Sequence, residues 1–203
     1  MKCEANVIEL FEKYLYEPNS RTRNEELYAL IVEYVINSEQ VDEIDKSRFR
    51  FQWEQIQKNR QGSIASDFSY ALINGTQGTL HRIKADYLIV FLFDPECHTC
   101  GETIQNLQTS PAVGEALRRG ILKILTMYTA QNMELWERYQ ADLPKTWINA
   151  YDPLQAIEQE KLYDLRALPT MYLLDSQKRV LMKDADLPQI DYLLGYELQK
   201  PPQ

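Results

Sequence analysis

The stretch from Asp86 to Asp94, DYLIVFLFD, limits the folds open to this chain more than any other feature. Two acidic residues bracket an unbroken run of branched and aromatic side chains. Alternating polar positions would have marked a strand with one wet face. A continuous run of this length reads instead as a strand covered on both faces. It is too short to cross a bilayer, which takes about 20 apolar residues. Such a strand needs layers above and below it, and the segments around it supply them. ILKILTMY and KTWINAY read as strands, and NMELWERYQ as a helix. DPLQAIEQEKLY reads as a further helix, with Asp152 placed to cap it and Pro153 in its first turn. TMYLLD and RVLMKD form a hairpin through SQK, and LPQIDYLLGYEL closes the chain as a helix. Strands alternating with helices predict an α/β sheet with helices on both faces.

Upstream the texture differs. Val7, Ile8, Leu10, Phe11, Tyr14 and Leu15 recur at helical spacing until YEPNS stops the run. A second helix fits Asn24 to Ile36, with Leu27, Leu30, Ile31, Tyr34 and Val35 on one face. A third fits Asp45 to Arg60, with Phe49, Trp53 and Ile56 as its stripe. Stripes of this kind are what packed helices show. RQGSIASDF then reads as a connection, because Gly62 and small polar residues punctuate it. Beyond it, DFSYALI and TLHRI flank NGTQG as the arms of a hairpin, which puts His81 in a strand with a structural role. The expected organisation is a helical domain over residues 1–61 and an α/β domain over residues 62–203.

Composition narrows the function. The net charge of −8 and the lack of a basic stripe exclude a nucleic-acid partner. No segment is apolar enough to span a membrane, and the opening MKCEANVIEL has no apolar signal region. With three cysteines (Cys3, Cys97 and Cys100) and two histidines, a disulfide-built scaffold is ruled out. A structural zinc site would need a second ligand cluster that the sequence lacks, so no metal is expected.

Residues 91–104, FLFDPECHTCGETI, then carry the chemistry. Cys97 falls at the end of the central strand and the start of a helix over residues 101–119, which Pro111 kinks or restarts. The C-terminal edge of such strands is where α/β folds build sites. A helix start offers free N–H groups and a positive dipole end, which favour a thiolate. One helical turn separates Cys97 from Cys100, so their sulfurs can close a disulfide. Cys97 would attack a substrate disulfide, and Cys100 would resolve the mixed disulfide. His98, Glu96 and Asp94 are the charged neighbours placed to tune these thiols. Farther on, RALPTMYLLD puts Pro169 at a strand entry, where proline cannot serve a strand middle. The same residues leave two other readings open: a non-catalytic module with a structural disulfide, or a metal-carrying thiol protein. The peroxidatic Pro-x-x-x-Thr-x-x-Cys arrangement is absent around Cys97.

The apolar strand, FLFDPECHTC, and LPT before a strand hairpin and a last helix together resemble the thioredoxin-like superfamily. The leading hairpin and the extra strand–helix material between Cys100 and Pro169 are similar to its TlpA/ResA branch of thiol–disulfide oxidoreductases. The likeness covers about residues 62–198. EKYLYEPNSRTRNEELY with NRQGSIASDF resembles a helical domain of unknown function that precedes redox domains in bacterial envelope proteins. The resemblance implies a thioredoxin-like fold, an extracytoplasmic setting, and no cofactor beyond a redox-active Cys97–Cys100 pair. It also implies a cis Leu168–Pro169 bond, with Leu168, Pro169 and Thr170 facing a substrate. The implied partners are protein thiols or disulfides and a redox partner. Phe91 stands where many thioredoxins carry a buried acid. Thr103 stands where ResA-like proteins carry a glutamate, and Glu102 lies one position short.

Overall fold

The computed structural model describes residues 2–200, with side chains from Asn6 to Lys200; the Cys3 side chain lies outside those described. The chain divides into two compact units between Lys58 and Asn59.

In the first unit, α1 (Lys2–Phe11) runs into a π-helical turn (Glu12–Tyr16) and is followed by α2 (Glu25–Asn37) and α3 (Glu43–Gln57). The Asn24 side chain caps α2 at the Leu27 N–H, and Asp42 caps α3 at the Ile44 and Asp45 N–H groups. Tyr16, Tyr28, Val32, Val35, Phe49 and Ile56 make the core. The face of α2 differs from the one its apolar spacing predicts. Val35 is buried and Ile31 packs at the core margin, but Leu27, Leu30 and Tyr34 are exposed. The buried face is set by Tyr28, whose ring stacks on Tyr16 at 4.8 Å. Its hydroxyl donates to Gln52 Oε1, and Gln52 Nε2 donates in turn to Glu12. A polar chain satisfied inside the core turns the helix away from its purely apolar stripe, because unpaired buried groups are costly. On α1, Ile8 faces the core, while Val7, Leu10, Phe11 and, in the following turn, Tyr14 are exposed.

The second unit holds a sheet of order β2-β1-β5-β4-β3-β6-β7. Its strands are β1 (Ser69–Leu72), β2 (Gln77–Thr79), β3 (Tyr87–Phe93), β4 (Leu122–Tyr128), β5 (Ile148–Tyr151), β6 (Thr170–Asp175) and β7 (Val180–Met182). β3, β4 and β5 are mutually parallel, while β6 runs antiparallel to β3. The hairpin β1–β2 adds antiparallel to β5.

β3 is the axis of the core. Leu88 through Phe93 are all fully buried. Ile89, Phe91 and Phe93 enter one face, while Leu88, Val90 and Leu92 enter the other. The gross hydrophobic gain from these six side chains is on the order of 10 kcal/mol. The first face is covered by α4 (His98–Thr109), α5 (Pro111–Arg118), α6 (Met133–Gln140) and α8 (Leu187–Leu198). α4 ends at Thr109 and a new helix starts at Pro111, where the Ser110 hydroxyl accepts the Val113 N–H.

Helices lie on both faces, but unequally. The helix expected over residues 152–163 is a single turn, α7 (Ala156–Gln159). Gln155 before it is left-handed (φ 55°), and the buried Asp152 carboxylate accepts the Leu154 and Ile157 N–H groups. Phe68, Leu80, Ile83 and Tyr163 fill the rest of that face. His81 is not in a strand: β2 ends at Thr79 and His81 lies in a 3-10 turn, Leu80–Arg82. Its Nε2 lies 2.7 Å from the Ala65 carbonyl oxygen.

The second compact unit begins at Asn59, which is tied into it locally. Asn59 is buried and left-handed (φ 52°). Its Nδ2 donates to the Leu162 carbonyl, and its Oδ1 accepts the Ser66 N–H, both at 2.7 Å. Alanine there would leave the Leu162 carbonyl and the Ser66 N–H, both half-buried, without these partners and strain the left-handed backbone. Asn59→Ala is expected to cost about 3 kcal/mol. A lower urea midpoint at unchanged m-value is the expected readout.

Candidate active site

The C-terminal end of β3 delivers the chain into a tight turn. Asp94 Oδ1 accepts the Glu96 N–H at 2.8 Å, and the Asp94 carbonyl accepts the Cys97 N–H at 3.1 Å. Cys97 is thereby the N-cap of α4, and its sulfur accepts the Cys100 N–H at 3.3 Å. Cys97 is half-buried and Cys100 fully buried; both are free thiols.

β6 brings the second component. Leu92 pairs with Thr170 across the antiparallel ladder, so the chain entering β6 arrives beside the chain leaving β3. The Leu168–Pro169 bond is cis. The Cys97 thiol donates to the Leu168 carbonyl at 3.4 Å. Thr170 is buried and turned away: its hydroxyl donates to the Asp164 and Ala167 carbonyls, which pins the loop ahead of Pro169. Its side chain is therefore engaged within the loop, and its backbone opens β6.

The charged neighbours divide. His98 is highly exposed, and its Nε2 lies 3.3 Å from a Glu102 carboxylate oxygen one turn along α4. Glu96 is exposed, while Asp94 is half-buried at the turn. Thr103 donates its hydroxyl to the Thr99 carbonyl within the helix. Burial pushes the Cys100 thiol far above the ordinary thiol range. The adjacent Cys97 sulfur and the Asp94 charge push the same way, while the Asp94 backbone group pulls back. Among the described residues, no cluster of three or more His, Cys, Asp or Glu could hold a metal ion.

Behind the thiols lies an aromatic cluster that apolar spacing does not single out. Phe91 and Phe93 have ring centroids 5.6 Å apart. Trp136 of α6 is fully buried, stacked on Tyr128 at 5.5 Å and edge-on to Phe93 at 6.2 Å. Tyr139, one turn farther along α6, packs on Phe93 at 5.6 Å. The available signal was the aromatic pair at i, i+3 in a short helix, which marks a buried face without saying what it faces.

Comparison with solved structures places this arrangement. A thioredoxin-like protein from Bacteroides caccae is 41% identical and superposes with a TM-score of 0.93, over 95% of this chain and 69% of that one. The chain belongs to the thioredoxin-like family. Its thioredoxin-like part also matches the C-terminal domain of an uncharacterized protein from Bacteroides fragilis, at 40% identity and a TM-score of 0.66, over 68% of this chain and 98% of that one. The thioredoxin domain of a thiol-disulfide oxidoreductase from Bacteroides vulgatus shares the fold, at 16% identity and a TM-score of 0.60, over 69% of this chain and 99% of that one. A family model described as a domain of unknown function, DUF5106, matches residues 2–59, the helical part. No curated protein matches the chain.

The dry setting of Cys100 has a pH consequence in this thioredoxin-like chain. The folded thiol holds its proton more tightly than the unfolded one. Its contribution to stability is therefore fully present below the unfolded thiol value of about 8.5 and is lost as pH rises above it. Between about pH 8 and pH 10, the reduced protein should lose more stability in urea than Cys100→Ala does. Parallel losses in the two proteins would show that Cys100 is not in a dry site.

Proposed function

We propose that this protein is a thiol–disulfide oxidoreductase of the TlpA/ResA type, acting through Cys97 and Cys100 on protein disulfides or thiols. The observation that carries the reading is the unequal pair at the helix start: a half-buried, N-capping Cys97 beside a fully buried Cys100. That inequality assigns an order to the chemistry.

In the reducing direction, the Cys97 thiolate attacks one sulfur of the substrate disulfide. The substrate S–S bond breaks, a Cys97–substrate disulfide forms, and the departing substrate thiolate takes a proton from solvent. Cys100 then gives up its proton and attacks the Cys97 sulfur. The second substrate thiol leaves, and two electrons have passed from the dithiol to the substrate. The oxidising direction is the same sequence reversed. The Cys100 N–H at the Cys97 sulfur and the helix dipole support the first thiolate. The cis Leu168–Pro169 segment, half-buried beside Cys97, offers backbone to an extended substrate chain. No helix among the described residues is long and apolar enough to cross a membrane. We place the protein outside the cytoplasm, on the likeness of its helical part to domains of envelope proteins, and take residues 62–203 as the part that carries the redox couple.

Insulin reduction driven by dithiothreitol tests the activity, and Cys97→Ser should abolish it. Cys100→Ala should accumulate dithiothreitol-sensitive complexes with protein substrates in an oxidising extract, whereas Cys97→Ala should not. Equal trapping by both variants would refute the order of attack.

A further inference from the structure

The Leu168 carbonyl is wanted by two donors. In the resting protein it accepts the Cys97 thiol at 3.4 Å. In the reading above, the same segment offers its backbone to an extended substrate chain. The β3–β6 ladder stops at the Leu92–Thr170 pair, so Leu168 has no strand beside it. Its N–H has no hydrogen-bond partner among the described residues, and its carbonyl holds only the thiol. A chain laid there finds one donor and one acceptor on a single residue, as a strand does on its neighbour.

Thr170 sets where that carbonyl stands. Its side chain is buried, and its hydroxyl donates to the Ala167 carbonyl at 2.7 Å and to the Asp164 carbonyl at 3.1 Å. Ala167 directly precedes Leu168. Because a peptide unit is planar, pinning the Ala167 carbonyl fixes the plane through which the chain enters Leu168.

We infer that Thr170 is a positioning residue that holds the Leu168 carbonyl on the Cys97 thiol, and that a substrate backbone N–H displaces the thiol from this carbonyl as the chain docks. The inference rests on the dithiol reading above and adds to it a preference for disulfides carried on extended chain. A thiol that donates to a carbonyl keeps its proton, and one that has lost its acceptor gives it up more readily. The proton passes to solvent, because Cys97 is only half-buried. The Cys100 N–H stays on the sulfur and supports the thiolate. The thiolate attacks, the Cys97–substrate bond forms, the substrate S–S bond breaks, and the departing thiolate takes up a proton.

Cys3→Ser with Cys100→Ala leaves Cys97 as the only thiol. Two probes then report its attack. One is 5,5′-dithiobis(2-nitrobenzoate), which has no peptide backbone. The other is an extended peptide whose single cysteine is joined to thionitrobenzoate. Both release thionitrobenzoate, the more acidic thiol, on attack. Rates are read at about pH 6, below the ordinary thiol range. Thr170→Val removes the hydroxyl. It should speed attack on the small probe and slow attack on the peptide, each by about fivefold, the worth of one hydrogen bond. Thr170→Ser should restore both rates. A shift of both rates in the same direction, which loss of packing alone would give, would overturn the inference. An independent series keeps Thr170 and replaces each backbone amide beside the peptide's cysteine by an ester, one at a time. One of these esters should slow attack by about fivefold, and by less in Thr170→Val. Equal rates for every ester and the parent peptide would overturn the inference even if the valine variant fails to fold. Wild-type protein that leaves insulin oxidised in dithiothreitol would overturn the dithiol reading and this inference with it. Insulin reduction alongside a flat ester series would overturn the inference alone.

Discussion

Everything at the thiol-bearing end hangs on β3 being buried on both faces. Its odd-numbered residues from 89 to 93 and its even-numbered residues from 88 to 92 serve two separate hydrophobic clusters. A one-residue slip would exchange those clusters wholesale, so the register with β4 and β6 is heavily overdetermined. That register then fixes chemistry. Phe93 pairs with Tyr128 on one side, and Leu92 with Thr170 on the other. The end of β3, the end of β4 and the start of β6 are brought to one edge, where the thiols, the α6 aromatics and the cis proline segment meet. No loop has to find the site independently.

Within that edge the Asp94 charge bears on Cys100, while two other charged side chains are paired. His98 is engaged with Glu102, and Arg166 in the loop before Pro169 is engaged with Asp164. What bears on Cys97 directly is backbone: an amide donor from Cys100 and a carbonyl acceptor from Leu168. Backbone dipoles held by secondary structure need no reorganisation when a sulfur gains or loses charge, unlike mobile surface side chains in water. The difference between the two thiols comes from geometry of the same kind. The N-cap position leaves Cys97 at the margin, and one turn later Cys100 points into the core.

Much of this was legible from local signals. The unbroken apolar run marked a doubly covered strand because burial on both faces abolishes alternation. Cys-x-x-Cys directly after it marked a site because strand ends and helix starts combine there. Pro111 read as a kink or a restart because proline does not fit a helix interior. What was not legible depended on partners far along the chain. Tyr28 is turned inward by Gln52 and Glu12, so an apolar count favoured Leu27 and Leu30 wrongly. The helix after Asp152 looked long from its composition, yet the carboxylate is spent on a tight loop and only one turn forms. His98 sits between the cysteines in sequence, but i, i+4 geometry sends it to Glu102. Trp136 and Tyr139 looked like any amphipathic face, because nothing local says which strand end a helix covers.

The placement of α6 and the shortness of α7 are linked through topology. β5 lies beside β4, away from β3, so the crossovers β3–β4 and β4–β5 proceed in the same direction and their helices share a face. This crowds four helices onto the face of the motif and leaves the other face to one helical turn and irregular chain. Irregular chain is stable there only if its backbone groups are satisfied one by one. They are: Asn59 holds the Leu162 carbonyl, the Tyr163 hydroxyl donates to the Ser66 carbonyl, and Thr170 holds the carbonyls of Asp164 and Ala167. The segment so anchored is the one that presents the Leu168 carbonyl to Cys97. The opening residues of the thioredoxin-like unit, far from the cysteines in sequence, are therefore part of what holds the position of the sulfur's acceptor. The thiol-bearing end is shaped from both sides of the sheet: by aromatic packing beneath the thiols and by hydrogen-bonded chain behind the proline.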